Sequence, residues 1–82
     1  MKSDITNAQQ LSSLSSGKKM QITLLDGGRE FRSKMLNLGI VPGETVEVVR
    51  GGGAMPLVVE VKGTKVMIGK GAAVRIFGVV VL

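Results

Sequence analysis

Cysteine and histidine are both missing from the 82-residue sequence, and so are tryptophan and tyrosine. Without cysteine there is no disulfide to staple a small domain and no thiolate to attack a substrate or bind a metal. Without histidine the usual acid–base of neutral pH is gone, together with the nitrogen ligand common to zinc and iron sites. Six carboxylates remain as hard-cation ligands: Asp4, Asp26, Glu30, Glu44, Glu47 and Glu60. No metal or cofactor site is expected from them, because Glu44 and Glu47 stand three apart in a strand pattern and therefore face opposite ways. The five serines before Gly17 have no histidine to activate them and lie in a loose polar segment, so no catalytic residue is expected either.

Aromatic side chains are nearly absent, with Phe31 and Phe77 the only two. Recognition of polyproline segments, which needs packed aromatic grooves, is excluded on that ground. Single-stranded nucleic-acid binding by base stacking is weakened by the same scarcity. Long hydrophobic runs are lacking too: the longest is Val79 to Leu82, far short of the roughly 20 residues of a membrane-crossing helix. Lys2 is followed by polar residues, with no signal-peptide pattern, which makes the cytoplasm the expected location.

What is present is an apolar, basic chain. Hydrophobic residues make up 44%, yet the formal charge is +5 and the sequence pI about 10.1. A chain this apolar is not an unfolded basic tail, and its length fits one small domain. The charge is spread, with six Lys or Arg against three acids up to Val41 and five against three beyond it, so no charged tail forms. A basic barrel gripping a nucleic-acid backbone through Lys62, Lys65, Lys70 and Arg75 is the alternative function these charges allow.

Residues 1–10 read as a flexible polar leader and 11–82 as the domain. Leu11 and Leu14, three apart, predict one helical turn ended by Gly17. Lys18 to Leu25 reads as a strand with Met20, Ile22 and Leu24 on one face, closed by Asp26-Gly27-Gly28. Phe31, Met35 and Leu38 fall at i, i+4 and i+7, which predicts a three-turn amphipathic helix over 29–38. Gly39 suits the left-handed position that stops such a helix, Ile40 its closing hydrophobic contact, and Pro42-Gly43 a type II turn. A strand over 44–50 follows, with Val46 and Val48 inward, and Gly51 to Gly53 reads as a mobile connection. Leu57, Val59 and Val61 alternate with Val58, Glu60 and Lys62. Lys62-Gly63-Thr64 predicts a tight hairpin into a strand bearing Val66 and Ile68. Gly69 to Ala73 reads as a turn or one helical turn, and Val74 to Val81 as the last strand. Five short strands favour a small, mainly β barrel with one inserted helix, since closure removes exposed edges.

Some apolar residues are left over once that interior is filled. Met55, Val58 and Met67 fall outside it, and Phe77, Val79 and Val81 share a register opposite Ile76, Gly78 and Val80. One of these sets either packs under the helix and the N-terminal leucines or forms an exposed patch suited to protein docking or self-association. Arg29, Arg32 and Lys34 are a solvated helix face or a rim that steers an acidic partner. The candidate partner-binding residues are therefore Arg29, Arg32, Lys34, Met55, Met67 and Phe77.

The run Met35-Leu-Asn-Leu-Gly-Ile-Val-Pro-Gly43, followed by Pro56-Leu-Val-Val-Glu-Val-Lys-Gly63 and the Val66 to Ile68 strand, resembles the FeoA family of ferrous iron transport proteins. The resemblance covers about Leu11 to Val80. It implies an SH3-like barrel with a helix inserted after the first strand. It also implies a non-enzymatic cytosolic accessory that binds and modulates the cytosolic G-protein region of the membrane transporter FeoB, at the inner face of the membrane, in support of Fe(II) uptake. The residues matching the family pattern are Leu36, Leu38, Gly39, Pro42, Gly43, Pro56, Leu57, Val59 and Gly63, mostly in architectural roles. Where many relatives carry a Glu-Ala pair before the last strand, this chain has Gly71-Ala72. A similar domain ends metal-responsive repressors, whose DNA-binding helices have no counterpart here.

Overall fold

The computed structural model describes residues 8–52 and 55–81, with Gly52 and Met55 described by backbone alone. Six strands form one antiparallel sheet: β1 (Gln9–Gln10), β2 (Lys19–Leu25), β3 (Thr45–Gly52), β4 (Met55–Val61), β5 (Thr64–Ile68) and β6 (Ile76–Val81). Their order across the sheet is β1-β6-β2-β3-β4-β5. A 3-10 turn (Leu11–Ser13) follows β1, helix α1 (Arg29–Asn37) joins β2 to β3, and the one-turn helix α2 (Lys70–Ala73) joins β5 to β6. The architecture is the mainly β, SH3-like one with a helix inserted after the first long strand.

One core holds these elements together. It draws Leu11 and Leu14 from the N-terminal turn, Met35 and Ile40 from the helical insertion, and Ile68 and Ile76 from β5 and β6. Leu57, Val59 and Val61 face inward on alternate positions of β4, as the period of a half-buried strand requires. No polar or charged residue among those described is buried. Each large aliphatic side chain taken fully out of water contributes on the order of 1.5–3 kcal/mol, which is the main term opposing chain entropy in so small a domain.

Local chemistry sets the turns. Gly39 has φ +84°, its N–H donates to Leu36 O at 2.9 Å, and Ile40 N–H donates to Met35 O at 2.8 Å. That paired closure is a Schellman motif, and the fully buried Ile40 supplies its hydrophobic contact. Gly43 has φ +96° and Glu44 N–H reaches Val41 O at 3.0 Å, the type II turn that Pro42-Gly43 encodes. The turn also serves the sheet, since Gly43 donates to Ile22 O and Ile22 donates to Glu44 O. Lys62 and Gly63, at φ 51° and 80°, form the two-residue turn between β4 and β5.

The structure differs from the sequence reading at several points. Leu38, expected on the inner face of the helix with Phe31 and Met35, is instead its C-cap residue and lies outside the core. Leu24 does not share a face with Met20 and Ile22. Ile22 lies opposite Gly78 and Leu24 opposite Phe77, so Thr23 is a bulge that turns Leu24 out, 52% exposed, and Leu25 in. Gly51 and Gly52 are not a mobile connection but continue β3, and Gly51 lies so close to β4 that a Cβ there would be 2.7 Å from Leu57 Cα; the expectation at Gly53 lies outside the described residues. Gln9 and Gln10, placed in the leader, pair with Phe77 and Gly78 and add a sixth strand beside β6. Val74 and Arg75 close α2 rather than open the last strand, which starts at Ile76.

Candidate interaction surfaces

Helix α1 is fixed to the body by its inner side and by its first turn. Met35 is buried and Phe31 packs against the core. The Phe31 ring lies on Gly27, where an added Cβ would stand 2.8 Å from Phe31 Cγ. The Arg75 guanidinium sits 5.9 Å above the same ring, a cation–π arrangement. Arg32 Nη1 donates to Gly27 O at 3.2 Å, so the turn before the helix is held from both sides.

The outer side of α1 carries the charges. Arg29, Arg32 and Lys34 are all exposed. Arg29, Arg32 and Leu36 stand at i, i+3 and i+7 and form one outward stripe, on which Leu36 is 62% exposed. Lys34, two residues beyond Arg32 and about 200° round the helix, lies on another flank. Leu38, at the C-cap, is 39% exposed. Leu36 and Leu38 thus sit outside the core, unlike Leu57 and Val59, while Gly39, Gly43 and Gly63 occupy positive-φ turns. Pro42 and Pro56 are exposed at the turn and at the start of β4.

The six residues singled out for partner binding do not form one patch. Met67 is on β5, 69% exposed, opposite Val58, which in turn lies opposite Arg50. Phe77 is half-buried on β6, between Gln10 and Leu24. β5 and β6 are separated by β2, β3 and β4 in the sheet, so Met67 and Phe77 belong to different surfaces. The side chain of Met55 lies outside the described residues. Leu36 carried a usable signal, since the helical period sets it about 100° from Met35 and about 140° from Phe31, off the inner face. Leu24 carried none, because nothing in Ile22-Thr-Leu-Leu25 marks a bulge.

Across the outer face of β2 to β5, Lys19, Glu47, Glu60 and Lys65 are successive cross-strand partners. Two like charges meet at the centre and an opposite charge flanks each, which offsets the repulsion. An open groove of about 220 Å³ lies over this row, lined by Lys19, Thr45, Glu47, Glu60 and Lys62. Lys62 Nζ is 3.6 Å from Glu44 Oε1, the one salt bridge among the described residues. No group of three potential metal ligands occurs among the described residues. Nor is any described helix long and apolar enough to cross a membrane.

The family model of the FeoA domain matches residues 9–80. A solved iron uptake regulatory protein (FeoA) is similar at 30% identity and TM-score 0.87, over 90% of this chain and 99% of that one. Iron(II) transport protein A from Clostridium thermocellum is 29% identical with TM-score 0.79, over 87% of this chain and 45% of that one. FeoA of Stenotrophomonas maltophilia, described as a prokaryotic SH3 domain protein and solved with zinc, is 27% identical with TM-score 0.71, over 89% of each chain. No curated protein matches the sequence.

Proposed function

Since the chain belongs to the FeoA family, which is associated with ferrous iron transport, we propose that it is a non-enzymatic accessory that binds the cytosolic G-protein region of a FeoB-like transporter and modulates its nucleotide turnover. It acts in the cytoplasm, at the inner face of the membrane where that partner presents its soluble part. The observation that carries this reading is the outward stripe of α1: an exposed Leu36 beside the exposed Arg29 and Arg32, on a helix whose other side is locked into the core. An apolar anchor flanked by guanidinium groups suits a protein interface, where the apolar group supplies the buried centre and the charges steer encounter. The Stenotrophomonas relative is named as a candidate activating factor of ferrous iron transport, which agrees with such a role.

Titration against the purified cytosolic domain, with and without guanine nucleotide, tests it. Reversing both Arg29 and Arg32 to Glu is expected to lower the association rate roughly tenfold at low salt, the difference shrinking as salt is raised. Leu36→Ser is expected to raise the dissociation rate while leaving the melting temperature unchanged. Absence of binding at high micromolar concentration in either nucleotide state overturns the proposal. An unchanged curve for all three substitutions removes α1 as the contact.

A further inference from the structure

β5 ends the sheet, and no strand among the described residues pairs with its outer edge. The register identifies the backbone groups along that edge. Val61 and Thr64 flank the two-residue turn and so exchange both of their hydrogen bonds. Alternation along an antiparallel ladder then makes Val59 with Val66, and Leu57 with Ile68, the next bonded pairs. Lys65 and Met67 occupy the non-bonded positions opposite Glu60 and Val58, so their N–H and C=O groups point away from β4. No turn or loop backbone among the described residues bonds to them.

Edge strands are ordinarily blunted by proline, by a bulge or by brevity. β5 has no proline, pairs with β4 without a register shift, and runs for five residues. Its one protective feature is positive charge. From Lys62 to Lys70 there are three lysines and no acid, and Lys65 makes no salt bridge within the described residues.

We infer that this edge receives an added antiparallel strand from a partner protein, an extended segment reading apolar, β-branched, acidic. Lys65 and Met67 set the two outer positions: the segment places its apolar residue beside the exposed Met67 and, two residues on, its carboxylate beside Lys65. Between them a β-branched residue meets Val66, whose side chain is half-buried against the core. Main-chain hydrogen bonds supply the attraction and the alternate side chains the selectivity. A second copy of this chain is the poorer occupant. Antiparallel pairing of two β5 strands would bring the lysines of both copies onto one seam, where like charges repel.

The test uses the full ¹⁵N-labelled chain and the peptide acetyl-Ser-Leu-Val-Glu-Val-Thr-amide. Saturable shifts centred on the Lys65 and Met67 amides are expected, with at least about fivefold weaker binding when the peptide's Glu is replaced by Lys. Lys65→Glu is expected to reverse that preference. Met67→Pro should abolish binding, since it removes an outward donor without costing a bond to β4; the charge exchange at Lys65 decides the matter if that variant fails to fold. Shifts confined to α1, no saturable shift at millimolar peptide, no change of preference in Lys65→Glu, or concentration-dependent broadening at Lys65 and Met67 without peptide each overturn the inference. The transporter domain takes no part in the experiment, so its result is separate from that of the proposal above.

Discussion

Two seams of the sheet are built to different tolerances. Where β4 meets β5, five residues pair without a break and the turn glycine, Gly63, has open space where a Cβ would go. Where β2 meets β6, Thr23 bulges out of the ladder and Gly78 has no space at all: a Cβ there would run into the carbonyl oxygen of Gln21 and stand 2.6 Å from Met20 Cγ. The regular seam ends the sheet, and no strand among the described residues pairs with its outer edge. The irregular seam lies between the second and third strands of the sheet order and joins the last strand to the one that leads into α1. Close backbone approach and a bulge are the devices by which a sheet bends over its own core.

The largest expected effect follows from that contrast. Gly78→Ala should destabilise the domain by about 3 kcal/mol or more, because the obstacle is backbone and repacking of side chains gives no relief. Urea unfolding followed by far-UV circular dichroism measures it, and a loss under about 1 kcal/mol would show the seam to be as tolerant as the hairpin. Ile22→Ala should come next, at about 2–4 kcal/mol, since Ile22 is 1% exposed and the cavity it leaves is enclosed by the sheet.

Gly63→Ala is expected to cost about 1 kcal/mol, all of it from the backbone, since φ is +80° and nothing lies nearby. Gly78 is absent from the positive-φ residues, so the two glycines are required for different reasons. The difference also explains what was legible in the sequence. Lys62-Gly63, Gly39-Ile40 and Pro42-Gly43 encode their own turns through local dihedral preferences, and alternation in Leu57, Val59 and Val61 states the inner face of β4 outright. The need for glycine at 78 and the bulge at Thr23 arise from strand curvature, which is a property of partners distant in the chain. The candidate surfaces divide in the same way. Exposure of Arg29, Arg32 and Lys34 followed from charge and helical period, and Leu36 was readable by that period. The separation of Met67 from Phe77 was not, because alternation gives the face of a strand and never its place in the sheet.

The smallest expected effect discriminates most sharply between the two kinds of seam. A regular β2 would carry Leu24 on the same face as Met20 and Ile22, and Leu24→Ala would then cost about 2–4 kcal/mol, like any enclosed leucine. With Thr23 bulged, Leu24 is 52% exposed beside a half-buried Phe77, and Leu25 takes the inner position at 6% exposure. Leu24→Ala should therefore cost about 0.5 kcal/mol, and Leu25→Ala the full core penalty. Measured in one urea series, the adjacent pair reports the inside–outside exchange directly. Equal losses at both positions, or the larger loss at Leu24, would mean that β2 runs straight past β6, and the distinction between the two seams would then rest on Gly78 alone.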